Sequence, residues 1–256
     1  MSHHANKPPL PTKLPLQNRL PVLCYVTDRS LLAPRQNNRA ILLEKIAQLS
    51  AAGIDWIQIR EKDLSGKDGT ALVQDAIRRV DSAFAGAPPL GYKGGVSRRA
   101  SASANPAKLI VNDRLDVALA TGAAGIHLGE ESLSLPAVNK LVKARFPAES
   151  QFLIGASCHS ISAARLAEQQ GAHYIFFGPV FATPSKISFG TPQGLAPLEE
   201  VSRALAIPVL AIGGITLENI AACISAGASG IAAIRLFQNA PDPAALIASL
   251  RHLLPS

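Results

Sequence analysis

Aromatic residues, cysteine and long apolar runs are all scarce in this chain. Only 5% of the 256 residues are Phe, Trp or Tyr. No apolar run is long enough to cross a bilayer, and no segment has the basic start and apolar middle of a signal peptide. The three cysteines, Cys24, Cys158 and Cys223, lack metal-ligand spacing and cannot pair evenly. These absences exclude a disulfide-stapled domain and a membrane span, so we expect a reduced, cytoplasmic protein.

A second absence concerns nucleic acid. The net charge is +7, but no basic helix with interleaved aromatic residues accompanies it. Much of the excess charge lies outside the expected core, in the residues Lys7, Lys13, Arg19, Lys93, Arg98 and Arg99. We therefore expect neither nucleic-acid nor membrane partners, and a small anionic substrate accounts for the remaining basic residues.

Short strand-like segments recur along the chain and alternate with helical patterns. Ala, Leu, Ile and Gly dominate a composition that is 48% hydrophobic, which suits helices packed on a tightly built sheet. Helical periodicity extends from Asn38 to Ala52, and Ser65 is a candidate N-cap for a helix ending near Phe84. The predicted strands are 22–27, 56–59, 109–112, 125–128, 152–156, 174–177, 209–212 and 231–234.

One internal repeat orders these segments. The pattern Gly-(Ala/Ile)-x-x-Ile occurs four times, beginning at Gly53, Gly122, Gly171 and Gly227. In each copy a glycine is expected to end a helix in the left-handed conformation just before a strand begins. The copies open predicted strands two, four, six and eight, so the sequence predicts one (β/α)8 barrel over residues 21–256.

Two segments do not fit the repeat. Residues 1–20 are Pro-rich and aperiodic, and we interpret them as a flexible tail. Residues 85–107 are rich in Gly, Ala, Ser and Pro, which indicates a loop insertion before strand three. Neither segment suggests a function.

The carboxyl ends of the predicted strands carry the chemistry, because active sites of such barrels form there. The residues at these ends are polar and often basic, namely Thr27, Asp28, Gln58, Arg60, Lys62, Asn112, Asp113, the segment 129–132, Ser157, the loop 178–194, Gly213, Gly214 and Arg235. Loops are generally polar, so this pattern supports a site without specifying it.

Three of these ends suggest particular chemistry. Gly213 and Gly214 expose backbone N–H groups before an expected helix capped by Thr216, which favours phosphate binding over a plain turn. The long loop 178–186 ends in hydroxyls and Lys186, as expected of a lid that neutralises a leaving diphosphate, or of a solvated loop. Asp113 could bind Mg²⁺ or simply cap the next helix.

The remaining ionisable and sulfur-containing residues in the predicted barrel are interpreted as packing residues. We expect His127, His159 and His173 to be structural rather than metal ligands, with His173 at the face away from the site. Cys158 and Cys223 resemble buried small apolar residues.

In combination, six motifs resemble the thiamine-phosphate synthase family and its thiazole tautomerase-like relatives. The resemblance extends over about residues 22–253. Any one motif is weak, but their order along one barrel is specific. The motifs are Tyr25-Val26-Thr27-Asp28, Gln58-Ile59-Arg60-Glu61-Lys62, Asn112-Asp113-Arg114, Gly125-Ile126-His127-Leu128-Gly129, the segment GPVFATPSK at 178–186, and Ile212-Gly213-Gly214-Ile215-Thr216.

The resemblance implies a transferase of thiamine biosynthesis that joins an aminopyrimidine diphosphate to a thiazole phosphate. It implies that Arg60, Lys62 and Lys186 act on the departing diphosphate and that Asp113 binds Mg²⁺. The implied substrate-binding residues are Gln58, Ile59, Arg60, Glu61, Lys62, Asn112, Ser157, Thr183, Pro184, Ser185, Lys186, Gly214, Ile234 and Arg235.

The chain departs from the family pattern in a few places. Ser132 stands where the family usually has a second Mg²⁺-binding aspartate, which leaves Glu130 or Glu131 as a substitute or Asp113 as the sole carboxylate. Ser185 stands in place of a threonine, and Arg235 in place of a small serine. A tautomerase-type isomerase and a non-catalytic phosphate-binding protein are the alternatives, and a homo-oligomer is compatible with the sequence.

Overall fold

The computed structural model of the chain describes residues 21–85, 105–146, 151–183 and 191–254. The expected tail 1–20 lies outside the described residues. So do most of the expected insertion 85–107 and three residues of the proposed lid, Pro184, Ser185 and Lys186.

Eight parallel strands form a closed barrel in chain order, with β8 pairing back to β1. The expected (β/α)8 architecture is therefore confirmed. The strands are β1 Val22–Val26, β2 Trp56–Ile59, β3 Lys108–Asn112, β4 Gly125–Leu128, β5 Leu153–Cys158, β6 Tyr174–Phe177, β7 Val209–Ile212 and β8 Gly230–Ala233.

Helices follow the strands and cover the outside of the barrel. Among the described residues they are α1 Asn38–Ala52, α2 Gly66–Ala85, α3 Leu115–Thr121, α4 Leu135–Arg145, α5 Ile161–Gln169, α6 Leu195–Ala204, α7 Ile220–Ser225, α8 Arg235–Gln238 and α9 Pro243–Leu253, with short 3₁₀ turns at Arg29–Leu31 and Arg35–Asn37. Ser65 Oγ accepts the Asp68 amide at 3.1 Å, as expected of the N-cap of α2.

The repeated glycines have the predicted conformation. Gly53, Gly122, Gly171 and Gly227 have φ values of 94°, 72°, 89° and 88°. Each precedes an even-numbered strand, β2, β4, β6 or β8. Because a residue with a Cβ is strained at these φ values, glycine allows the chain to reverse from helix to strand within three residues.

Alternation along the strands divides the core into two shells. One shell, with Leu23, Ile57 and Ile175 among its members, packs between the strands and the helices. The other fills the barrel interior and includes Cys24, Ile110, Tyr174, Phe176 and Leu210. Successive side chains of a strand point to opposite faces. At the carboxyl end of each strand, the side chains that face the interior therefore lie at the mouth of the barrel.

The expected helix cap at Thr216 was wrong, and so was the capping alternative for Asp113. Thr216 does not cap a helix. Helix α7 begins four residues later at Ile220, and the Asn219 side chain instead accepts the Thr216 amide at 2.9 Å. Asp113 does not cap α3 either, because Arg114 occupies the N-cap position and Asp113 has a positive φ of 60°. Thus the Asp113 carboxylate is left for other contacts.

Within the described ranges, none of the helices combines the length and apolar character that crossing a bilayer requires.

Candidate active site

The interior-facing residues at the carboxyl ends of β2 to β5 form a polar set. Gln58, Asn112, His127 and Ser157 lie at alternate strand positions in register with the interior apolar shell. Gln58 and His127 are almost fully buried, whereas Asn112 and Ser157 are half-buried. Buried polar groups are costly unless they are hydrogen-bonded, so their partners define the site.

One side of the mouth is a chain of hydrogen bonds that ends on a carboxylate. Gln58 Nε2 donates to Asn112 Oδ1 at 2.9 Å, and Asn112 Nδ2 donates to Asp113 Oδ2 at 2.9 Å. The structure therefore brings Gln58, at the end of β2, together with the Asn112-Asp113 pair at the end of β3. The positive φ of Asp113 turns the chain at the end of β3, where the carboxylate meets the Asn112 amide.

The other Asp113 oxygen contacts the loop after β4. Asp113 Oδ1 accepts the Ser132 hydroxyl, and Ser132 Oγ accepts the Gly129 amide at 2.6 Å. The Gly129 amide also lies 3.5 Å from Asp113 Oδ1. Ser132 is therefore adjacent to the proposed metal ligand, as expected, but it brings a neutral hydroxyl instead of a second charge.

The two glutamates considered as substitutes do not join Asp113. Glu130 Oε1 lies 3.9 Å from His159 Nε2, and His159 Nδ1 contacts the Gly178 carbonyl. Glu131 is exposed. In the described part of the chain, no group of three or more His, Cys, Asp or Glu residues could hold a metal ion. Asp113 is thus the carboxylate at this position.

A cavity of about 300 Å³ lies beside Asp113. Its polar lining includes Lys62, Asn112 and Arg114. Its apolar lining, Ile59, Val73, Val111 and Val117, belongs to the shell between strands and helices, so the cavity lies outside the barrel interior, beside α2 and α3. Lys62 and Asp113 therefore line the same cavity, which combines a cation and a carboxylate. That arrangement suits a bound diphosphate or a metal–diphosphate complex.

Glu61 is tied to the neighbouring loop. Its carboxylate accepts the Thr27 hydroxyl at 2.6 Å and forms an ion pair with Arg29 at 3.0 Å. Thr27 Oγ1 in turn accepts the Arg60 amide at 2.9 Å. These contacts hold the backbone on which Arg60 and Lys62 sit. The Glu61 side chain is only 4% exposed, so in this structure it is oriented by protein contacts.

His127 is the centre of a second buried network. Its Nδ1 lies 3.1 Å from the Tyr174 hydroxyl, its Nε2 lies 2.9 Å from Ser157 Oγ, and its ring packs on Phe176 at 4.1 Å between centroids. Burial, followed by the nearby Arg60 charge, lowers the pKa of His127 to about 3. His127 is therefore a neutral hydrogen-bonding residue of the interior.

Sequence reasoning assigned His127 to packing and missed its contact with Ser157. The strand register explains the contact, because His127 pairs with Asn112 and so faces inward beside it. His173 was placed correctly, since it lies at the start of β6 and its Nδ1 accepts the Ile154 amide at 3.1 Å.

The loops after β6 and β7 pack directly on each other at the far side of the mouth. Val180 N donates to Ile212 O at 2.9 Å, and Phe181 N donates to Gly213 O at 3.0 Å. Gly213 and Gly214 have φ values of 95° and 66°. A Cβ on Gly214 would lie 2.6 Å from the Ala182 carbonyl oxygen, so the two glycines permit this close approach.

The proposed thiazole-phosphate residues belong to this side of the barrel. Thr183 and Gly214 lie on the packed loops, Ile234 follows β8, and Arg235 is the first residue of α8. Ile234 packs with the interior apolar shell. Pro184, Ser185 and Lys186 are outside the described residues, so their predicted roles stay predictions.

Comparison with known proteins gives consistent results. A model of the family described as thiamine monophosphate synthase matches residues 94–237. The thiamine-phosphate synthase of Methanoculleus marisnigri is 41% identical over 80% of this chain and 85% of its own length. The thiamine-phosphate synthase of Roseiflexus sp. strain RS-1 is 34% identical over 92% of this chain and 86% of its own.

A solved structure extends the likeness to three dimensions. The thiamine phosphate pyrophosphorylase of Pyrococcus furiosus superposes with a TM-score of 0.69 at 27% identity. The match covers 91% of this chain and 94% of that protein. The barrel fold is therefore shared with a relative over most of both chains.

Proposed function

The chain belongs to the thiamine monophosphate synthase family, and we propose that it joins an aminopyrimidine-methyl diphosphate to a thiazole phosphate, forming thiamine phosphate and pyrophosphate. It is accordingly a transferase of thiamine biosynthesis. One observation carries the proposal at the level of residues. Gln58, Asn112 and Asp113 form one hydrogen-bonded chain at the mouth, and Lys62 faces the cavity beside it.

The reaction breaks one bond and forms another without oxidation. The bond between the methylene carbon and the diphosphate oxygen breaks, and pyrophosphate leaves with the electron pair. The ring nitrogen of the thiazole donates its lone pair to the methylene cation, and the positive charge passes to the thiazolium ring. Such a step needs cations around the leaving group more than it needs a general base.

The basic residues supply these cations. Arg60 lies at the mouth close enough to the buried His127 to lower its pKa, and Lys62 lines the cavity beside Asp113. Both positions suit contact with a diphosphate. We include Lys186 and the hydroxyls of Thr183 and Ser185 in the proposed phosphate-binding set on the strength of the family motif.

The donor set fits Mg²⁺, which commonly takes one or two carboxylates together with substrate phosphates and water. Asp113 provides a carboxylate, and the Ser132 hydroxyl lies against it. These residues would hold the ion, whose chemistry is to neutralise charge on the departing pyrophosphate. The proposed site contains less negative charge than a pair of aspartates would.

The test is direct synthesis. Purified protein, both substrates and Mg²⁺ should yield thiamine phosphate. Replacement of Lys62, Lys186 or Asp113 by Ala should each lower kcat/KM by about 10²-fold or more, because a charge that stabilises the transition state is removed. Lys140→Ala, on the exposed face of α4, is the matched control and should leave the rate unchanged.

Two outcomes would contradict the proposal. One is the absence of thiamine phosphate together with rapid tautomerisation of a thiazole phosphate, which would indicate the isomerase alternative. The other is tight binding of both phosphorylated compounds with no turnover of either, as a non-catalytic phosphate-binding protein would show.

A further inference from the structure

The Tyr174 hydroxyl has a single hydrogen-bond partner in the described part of the chain, His127 Nδ1 at 3.1 Å. The side chain is fully buried, and its ring lies flat over Gly155, where an added Cβ would collide with it. Trp56 packs against the ring at 4.8 Å between centroids. Because the ring is held in this orientation, the Tyr174 hydroxyl cannot turn toward another group. Among the described residues, its hydrogen can be donated only to His127 Nδ1.

That constraint determines which His127 nitrogen carries the hydrogen. Burial raises the pKa of Tyr174, so the phenol keeps its proton, and the lowered pKa of His127 leaves the imidazole neutral. A neutral imidazole has one donor and one acceptor. If Nδ1 carried the hydrogen, the buried tyrosine proton would have no acceptor, which is unfavourable. The hydrogen is therefore on Nε2, and Nε2 donates to Ser157 Oγ at 2.9 Å.

The His127 tautomer in turn fixes the direction of the hydrogen bond to Ser157. Its oxygen accepts from His127, and the hydroxyl has no other partner among the described residues. The hydroxyl hydrogen is thus available to a ligand. Because Ser157 is half-buried at the carboxyl end of β5, this hydrogen is presented at the mouth of the barrel.

The hydrogen-bond chain on β2 and β3 presents the opposite polarity. The Asp113 carboxylate only accepts, so Asn112 must turn its NH₂ group toward it and its oxygen toward Gln58. Gln58 then donates through Nε2, which leaves Gln58 Oε1 as an acceptor in the interior. The mouth thus offers an acceptor from β2 and a donor from β5.

We propose that Tyr174 is a positioning residue that acts through His127 and Ser157 to make the mouth select a ring with a hydrogen-bond donor toward Gln58 and an acceptor toward Ser157. An aminopyrimidine has this polarity, since its amine donates and its ring nitrogens accept. The oxo analogue has the reverse, with an accepting carbonyl and a donating ring N–H. This inference rests on the proposed function, but its first test does not need turnover.

The first test determines the His127 tautomer by NMR of ¹⁵N-histidine-labelled protein at neutral pH. A His127→Gln variant assigns the signal. Wild-type protein should show neutral His127 with its hydrogen on Nε2. Tyr174→Phe should add a population with the hydrogen on Nδ1, because the tautomers become similar in energy. A hydrogen on Nδ1 in the wild type, or an unchanged tautomer in Tyr174→Phe, would overturn the proposal.

The second test is kinetic. Tyr174→Phe keeps the ring on Gly155 and should raise KM for the aminopyrimidine diphosphate about tenfold while leaving KM for thiazole phosphate unchanged, as expected for one misdirected hydrogen bond. The oxo analogue can be measured as a competitive inhibitor. In Tyr174→Phe, the ratio of its inhibition constant to KM of the amino substrate should fall. An unchanged KM and preference, or equal increases for both substrates, would contradict a positioning role.

Tyr25→Phe is the matched control for the loss of a buried hydroxyl. Tyr25 is equally buried, and its hydroxyl donates to Gln238 Oε1 at 2.9 Å outside the barrel interior. It should leave both KM values unchanged. If wild-type protein made no thiamine phosphate, the proposed function would fail, whereas the His127 tautomer would still decide the polarity inference.

Discussion

At the scale of single residues, one hydroxyl determines how much negative charge stands at the mouth. Ser132 donates to Asp113 Oδ1 and accepts the Gly129 amide at 2.6 Å, so it fills the space beside the carboxylate without adding charge. A divalent cation at such a site depends more on the substrate phosphates than it would between two carboxylates. Metal binding and diphosphate binding are therefore expected to be strongly coupled.

Ser132→Asp should weaken that coupling. The half-saturating Mg²⁺ concentration for synthesis should fall about tenfold, equivalent to about 1.4 kcal/mol, because a second charge faces the ion. Without metal, two adjacent carboxylates repel, so the free energy of unfolding should fall by about 1–2 kcal/mol. Titration of the rate with Mg²⁺ and urea unfolding in chelator measure the two effects. Ser132→Ala is the control, and identical Mg²⁺ dependence in all three proteins would contradict the site assignment.

The buried His127 should make stability depend on pH. Its native pKa is about 3, against about 6.5 when unfolded, so between these values the unfolded chain binds a proton that the native protein does not. The free energy of unfolding should therefore fall as pH drops from 6.5 toward 3, by up to about 1.4 kcal/mol per pH unit. Urea unfolding at pH 7 and pH 5 measures the slope. His127→Gln should reduce it, and an equal slope in both proteins would show that His127 does not cause it.

At the scale of elements, the loops after β6 and β7 behave as one unit because glycine lets them touch. Gly213 and Gly214 both have positive φ values. Neither has room for a Cβ, because Pro179 lies against Gly213, and Phe181 and Ala182 lie against Gly214. The sequence indicated an exposed N–H cradle here. The structure adds that the same glycines admit the neighbouring loop, whose approach places the Ala182 carbonyl beside the turn.

Gly214→Ala separates the cost of backbone strain from that of contact. Gly122 is the matched control, since its φ of 72° is close to the 66° of Gly214 but nothing lies within 4 Å of its added Cβ. Gly122→Ala should lower the free energy of unfolding by about 1 kcal/mol from strain alone. Gly214→Ala should cost about 1–3 kcal/mol more and should also raise KM for thiazole phosphate. Equal losses in the two variants, measured by urea unfolding, would refute the close-packing explanation.

The strand ends were predictable from sequence because glycine caps and apolar alternation are local signals. Gly53 and Gly227 marked their strands correctly, and the positions of Gln58 and Asn112 at strand ends included both residues in the predicted active face. The Asn219 turn before α7 was missed because Thr216 is an equally acceptable cap by residue type. The Tyr174–His127–Ser157 network was also missed, since it joins three different strands and only the barrel register brings them into contact.

At the scale of the whole molecule, one end of the barrel carries the proposed site and the other end carries stabilising contacts. The carboxyl ends of the strands hold the polar networks of the site, whereas residues before the amino ends of β1 and β2 contact Arg251 near the end of α9. Arg251 on α9 pairs with Asp55 at 2.5 Å and donates to the Pro21 carbonyl at 2.6 Å. Asp55 also accepts the Leu23 amide at 2.8 Å. The last described helix is thereby fastened to the residues that lead into β1 and β2.

Arg251→Met should therefore reduce stability without changing the chemistry. The Arg251 side chain is only 6% exposed, and its removal leaves the Asp55 charge without its main partner, so we expect a loss of about 3 kcal/mol in the free energy of unfolding. KM and kcat should stay near wild type while the protein is folded, because the site lies at the opposite end of the barrel. Arg203→Met removes an exposed pair with Glu199 and should cost less than about 1 kcal/mol. Urea unfolding and steady-state kinetics on the same samples distinguish a loss of stability from a loss of activity. A large kinetic defect in folded Arg251→Met would show that the amino-terminal face also shapes the site.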